Sequence, residues 1–268
     1  EHWYDDATLV SASVDSIADD DGAGTRYRCT GWTGTGSVTP SGTNASTDFN
    51  ITEPSTITWN WVAQYRLTVA SDHNSPDPDV GEHWYDDATL VSASVDSIAD
   101  DDGAGTRYRC TGWTGTGSVS PSGTNASTDF NITEPSTITW NWIAQYRLTV
   151  ASDHNTPDPA VGEHWYDDAT LVSASVDSIA DDDGAGTRYR CTGWTGTGSV
   201  TPSGTNASTE FNITEPSTIT WNWVAQYRLT VASDHNSPDP AVGEHWYDDA
   251  TLVSASVDSI ADDDGAGT

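Results

Sequence analysis

The chain has 268 residues, with 41 Asp and Glu against nine Arg and no Lys, and a formal net charge of −32. A surface this acidic repels nucleic acid and anionic lipid, whose binding needs cationic groups. Lysine's absence excludes covalent Lys–Asn cross-links, and no stretch approaches the roughly 20 apolar residues of a membrane-spanning helix.

Repetition dominates the sequence. Glu1-His2-Trp3-Tyr4 returns at Glu82, Glu163 and Glu244, a period of 81 residues. Three periods differ at Thr39/Ser120/Thr201, Asp48/Asp129/Glu210, Val62/Ile143/Val224, Ser75/Thr156/Ser237 and Asp79/Ala160/Ala241. The chain starts without Met, shows no signal peptide and stops inside a repeat, so we expect a segment of a longer array.

In chain order, a short strand is expected at His2–Tyr4, turned by Asp5-Asp6. Ala7–Val14 reads as a second strand. Asp15–Gly24, "DSIADDDGAG", reads as an acidic insertion. Thr25–Trp32 alternates Tyr27 and Cys29 against Arg28 and Thr30. A Gly-rich turn segment follows, then a strand at Ser46–Thr52 that sets Phe49 and Ile51 against Asp48 and Asn50. Pro54 marks a tight turn. Thr56–Val69 alternates without interruption, with Ile57, Trp59, Trp61, Ala63, Tyr65, Leu67 and Val69 on one face. So long a strand is expected to serve two neighbouring units. No window carries a helical period. The expected class is all-β: small β-domains in a rigid tandem array, with aromatic side chains supplying much of the core.

The order of motifs resembles the divergent internalin B-type repeats of bacterial and archaeal surface proteins. "YRLTV" at Tyr65 leads to "HWYDDATLVSASV" at His83, then "GTRYRCTGWTG" at Gly105 and "FNITEPSTITWNW" at Phe130. The resemblance implies a β-grasp-like unit, here without a clear helix, and no catalytic residues. It places the unit boundary at Tyr65. Residues 1–64 are then a partial repeat lacking its first strand, 65–145 and 146–226 are full repeats, and 227–268 hold only opening strands.

Several residues carry chemistry that the sequence leaves open. Asp15, Asp19, Asp20 and Asp21, with Asp96, Asp100, Asp101 and Asp102, and Asp177, Asp181, Asp182 and Asp183, offer the hard oxygens that Ca²⁺ prefers, although their spacing is not that of an EF-hand loop. Solvated turns are the alternative. Asn-x-Ser/Thr sequons at Asn44, Asn50, Asn125, Asn131, Asn206 and Asn212 are candidate glycosylation sites. Cys29, Cys110 and Cys191, one per period, are either buried thiols or partners in inter-chain disulfides. Trp3 and its repeats are candidates for stacking on glycans. His2 and His73 are the histidines of the first period, and no nucleophile motif accompanies them.

The expected function is structural: a segment of an extracellular filament, sheath or cell-surface stalk that assembles with copies of itself. A glycan- or cell-binding adhesin is the alternative. Neither an enzyme nor a nucleic-acid partner is expected, and Ca²⁺ is the only cofactor the acidic turns suggest.

Overall fold

The computed structural model describes residues Glu1–Ser259. Among these the chain is all-β, with no helix. The strands are β1 (Thr8–Ser13), β2 (Ile17–Ala18), β3 (Thr25–Thr35), β4 (Ser41–Gly42), β5 (Ser46–Ile51) and β6 (Thr56–Ser71). Next come β7 (Gly81–Asp86), β8 (Thr89–Ser94), β9 (Ile98–Ala99), β10 (Thr106–Thr116), β11 (Ser122–Gly123), β12 (Ser127–Ile132) and β13 (Ser136–Ser152). The last are β14 (Gly162–Asp167), β15 (Thr170–Ser175), β16 (Ile179–Ala180), β17 (Thr187–Thr197), β18 (Ser203–Gly204), β19 (Ser208–Ile213), β20 (Ser217–Val231) and β21 (Gly243–Asp248). The final copy of the acidic segment lies largely outside the described residues, as does the end of the partial repeat 227–268.

The chain divides into two compact units. One holds Glu1–Asp100 and Tyr108–Ile143; the other holds Asp101–Arg107 and the chain from Ala144 on. In the first, the second half of β6 is flanked on one side by β7, antiparallel, with Leu67 opposite His83. On the other side lies β13, parallel, with Leu67 opposite Ser136 and Ser71 opposite Trp140. β10 pairs with β13 in turn. The order is second, first, fourth, third with a parallel central pair, which is that of a β-grasp sheet. Where such a sheet carries a helix, this one carries the antiparallel ribbon β8–β12, in which Val91 faces Phe130 and Thr89 faces Ile132. The second unit repeats the arrangement, with β15 paired to β19 and β20 to β17 and β21.

The core of the first unit lies between sheet and ribbon. Leu67, Ile132 and Ile138 are completely buried, and Trp140 is 2% exposed. Burying each such side chain contributes about 1.5–3 kcal/mol. Trp113 meets Trp140 edge to face at 5.9 Å, the geometry that aromatic quadrupoles favour. The alternation in β13 explains which residues go in: Ser136, Ile138 and Trp140 are buried while Thr137 and Thr139 are exposed. The same positions in the first partial copy are only half-buried, namely Ile51, Ile57 and Trp59. Nothing in residues 1–64 corresponds to the strand that covers them elsewhere.

Three local features depart from the alternation read in the sequence. First, both Cys110 and Trp113 are buried although they are three residues apart, an odd spacing for one face of a strand. A β-bulge resolves this; it is registered in the equivalent strands as a shift between Cys29 and Gly31 and between Cys191 and Gly193. Second, two-residue strands form inside segments that read as turns, at Ile17–Ala18 and Ser41–Gly42, because the edge of β3 away from β6 offers free backbone to both. Third, the expected strand at His2–Tyr4 is absent, while its counterparts β7, β14 and β21 all form. Those three are hairpin partners of a preceding strand, which residues 2–4 lack.

The bulge explains one glycine. Gly112 has φ +115°, and a Cβ there would sit 1.9 Å from the carbonyl oxygen of Gly123. The clash is with backbone and cannot be relieved by a rotamer. Gly112→Ala should therefore cost about 1–3 kcal/mol, read as a lower-temperature unfolding transition in calorimetry. An unchanged transition would show that the bulge is dispensable.

Candidate functional sites at the repeat junction and the acidic turns

All nine cations of the chain are arginines, three per period. They gather on one face of the sheet, where one repeat gives way to the next. In the first unit, β6 passes from pairing with β3 to pairing with β7 around Gln64, which has Arg26 opposite on one side and Asp86 on the other. Gln64 is buried, 7% exposed, on the mostly polar face of β6. Its amide accepts from Arg26 Nε at 2.9 Å and donates to Asp86 Oδ1 at 2.9 Å. A side chain that both donates and accepts is what a buried site between a guanidinium and a carboxylate requires. Asp86 also takes two hydrogen bonds from Arg28, through Nε and Nη2. Arg26 lies over the ring of Trp84, 4.1 Å from its centroid. Arg66 pairs with Glu82 at 3.0 Å.

The second unit builds the same clamp from Arg188, Arg190, Gln226, Asp248 and Trp246. It also holds Arg107, Gln145, Asp167 and Trp165 in the corresponding contacts. The Arg28 hydrogen bonds hold the carboxyl of Asp86 below its ordinary value, with Gln64 assisting and burial opposing. Arg190 does the same to Asp248, again with help from Gln226.

The acidic turns have a different architecture. Asp21 Oδ1 accepts the backbone N–H groups of Ala23, Gly24 and Thr25 at 2.7, 2.9 and 3.0 Å. Asp102 and Asp183 repeat this. These bonds, that from Thr25 foremost, hold Asp21 below the usual carboxylate range. Asp20, Asp101 and Asp182 accept from the glycines two residues on. Asp19, Asp100 and Asp181 adopt φ near +51° to +52°. From there Asp100 reaches His73 Nδ1 at 2.6 Å and Asp181 reaches His154 Nδ1 at 2.7 Å. Asp15, Asp96 and Asp177 stand exposed at the start of each turn. Among the described residues, no three or more His, Cys, Asp or Glu side chains converge. Of the expected Ca²⁺ ligands, Asp102 is bound to its own turn's backbone and Asp100 to a histidine.

That histidine is well packed. His73 stacks on Tyr108 at 3.6 Å and meets Trp142 edge-on at 5.9 Å. Trp142 Nε1 donates to Ser71 Oγ at 3.0 Å. Ser71 donates its own hydroxyl proton to the carbonyl oxygen of His73, not to the ring. Ser71, His73 and Asp100 therefore form a structural chain of contacts rather than a nucleophile activated by a base.

The remaining candidates fall as follows. Asn44, Asn50, Asn125, Asn131, Asn206 and Asn212 are all exposed. On the ribbon's outer face Asn131 lies opposite Leu90 and Asn212 opposite Leu171, and those leucines are 66% and 61% exposed. Cys29, Cys110 and Cys191 are free and buried, each 7% exposed. Their thiols face the bulge carbonyls of Gly31, Gly112 and Gly193. Trp3 is 93% exposed, but Trp84, Trp165 and Trp246 are half-buried under arginines. Sequence reading missed the Gln–Asp–Arg clamp. The signal that could have found it is the confinement of every cation to strands meeting at Gln64, Gln145 and Gln226.

A comparison with protein-family models, curated proteins and solved structures found no match to this chain.

The clamp has a pH signature. A carboxyl held low in the folded state contributes stability that is present above its unfolded value of about 3.9 and lost as pH falls through the folded value. Asp248→Asn should lower stability at neutral pH and reduce the loss of stability on acidification below about pH 4. Denaturant titrations of both forms at pH 3 and pH 7 measure it. An identical pH dependence in the two would exclude the clamp as a contributor.

Proposed function

We propose that this chain is a structural segment of an extracellular filament, sheath or cell-surface stalk. It is built of copies of one β-domain and assembles with copies of itself. The observation that carries this reading is the junction. β6 ends one repeat and begins the next with no residue between, and the Arg26–Gln64–Asp86–Arg28 clamp covers that point. Enzymes and recognition modules joined in series commonly use flexible linkers, whereas a continuous strand passes load from one domain to the next through backbone.

Other features fit an exposed, exported material. The sequons are all on the surface, and a glycan on Asn131 or Asn212 would cover the exposed leucine opposite. Nearly identical repeats present equal surfaces at equal steps, which suits open-ended assembly. The internalin-type resemblance points to the same role. The adhesin alternative has less support, since the aromatic rings that would stack on sugars are capped by arginine in each complete repeat.

Electron microscopy of native material should show filaments or sheaths whose periodicity matches the step of one β-domain. Dispersed particles with no such periodicity would contradict the reading.

A further inference from the structure

The chain enters the complete repeat 65–145 on one strand and leaves it on that strand's neighbour. Residues 65–71 of β6 come first and residues 136–145 of β13 come last. The two run parallel, with Leu67 opposite Ser136, Val69 opposite Ile138 and Ser71 opposite Trp140. Tension along the chain pulls β6 back from its Tyr65 end and β13 forward from its Gln145 end. In parallel neighbours those directions are opposed, so the pair is loaded in shear. The complete repeat 146–226 has the same geometry. There β13 supplies the first strand, with Leu148 parallel and opposite Ser217, Val150 opposite Ile219 and Ser152 opposite Trp221.

Shear is the direction in which such a ladder is hardest to part. Its backbone bonds all carry load at once, whereas peeling from one end breaks them one at a time. The core opposes slip as well. A slip of one residue would turn the buried side chains to the outer face. The pairing is regained only after two residues, a travel of about 6.6 Å. Leu67 and Ile138, both fully buried, and Val69 and Trp140, each 2% exposed, would leave their contacts over that distance. Side chains add a latch at the far end of the pair. Trp142 Nε1 donates to Ser71 Oγ at 3.0 Å, across the two strands. His73, just past the end of β6, stacks on Tyr108 of β10 and meets Trp142 edge-on. Asp100 of the acidic turn holds the His73 ring through Nδ1 at 2.6 Å. The repeat 146–226 carries the same latch, with Trp223 on Ser152 at 3.0 Å and His154 on Tyr189 at 3.6 Å.

We propose that each complete repeat is a shear clamp. It bears tension along the chain through its parallel strand pair, and the serine, tryptophan and histidine at the end of that pair lock it. The acidic turn gains a task in this arrangement, because its aspartate fixes the histidine ring that closes the latch. The inference deepens the filament reading and rests on it for the source of the tension.

Single-molecule force spectroscopy of the 268-residue chain tests it, with one attachment at the C-terminus. The other attachment is made in turn through Glu53→Cys, before β6, and through Ser75→Cys, just after residues 65–71. Both positions are exposed, and the native thiols are buried. Pulled from residue 53, both complete repeats are sheared. Two high-force events are expected, each releasing at most about 290 Å of chain for a period of 81 residues. Pulled from residue 75, the force reaches residues 65–71 at the end where β13 leaves, and peels that pair apart. The repeat 146–226 stays in shear and serves as the internal standard. One high-force event should then be lost and one retained, because forced unfolding follows the barrier along the direction pulled. Ser71→Ala in the Glu53→Cys chain should lower one event and spare the other, whose Ser152 latch is intact. Two equal high-force events from residue 75, or none from residue 53, would overturn the inference. Unchanged forces in the Ser71→Ala chain would overturn the latch. Weak repeats in material that micrographs show as filaments would overturn the clamp and leave the filament reading intact. Repeats strong in shear beside native material lacking filaments would do the reverse.

Discussion

Everything in this protein turns on a strand that changes partners part-way along its length. β6 lies opposite β3 from Thr56 to Tyr65 and opposite β7 from Gln64 to Val69, so the two pairings overlap at Gln64 and Tyr65. The backbone hydrogen bonds do not lapse there: Arg66 N donates to Gly24 O at 3.0 Å and Asp87 N to Ala63 O at 2.8 Å. A strand shared in this way cannot fray at Gln64 without costing pairing to both β3 and β7. The polar clamp on one face and the aromatic core on the other are both built onto that strand.

The clamp also accounts for how a strongly acidic chain uses its few cations. Nine arginines cannot balance 41 carboxylates, and they are not scattered as if to try. Each is placed where a carboxylate or a buried amide needs a planar donor, or where an indole offers a face. The acidic turns are stabilised by a separate means. Their aspartates cap backbone N–H groups of their own turns. The two devices share the sign of their acid response, because in both a carboxylate must stay ionised.

Much of the fold was legible. Uninterrupted alternation from Ile57 to Val69 announced the long strand, and the clusters of Gly, Pro, Asn and Asp marked its neighbours' ends. The bulge at Thr30–Gly31 was not legible, because it breaks the two-residue period that sequence reading relies on. Nor were the two-residue strands, which exist only because β3 offers them backbone. The site was less readable than the fold. Asp21 and Asp102 look like ion ligands in sequence, and only the folded turn reveals that one oxygen of each accepts its own turn's backbone N–H groups. Gln64 looked like one more polar outward residue, and its burial follows from three charged neighbours contributed by two other strands.

The central claim is that the boundary at Gln64–Tyr65 is as firmly paired as the strand on either side. Amide hydrogen exchange across β6 tests it most directly. The account predicts protection of Ala63 through Leu67 comparable with that of Trp59 and Val69 under native conditions. Rapid exchange confined to Gln64–Arg66, between two protected flanks, would contradict it and would make the junction a hinge.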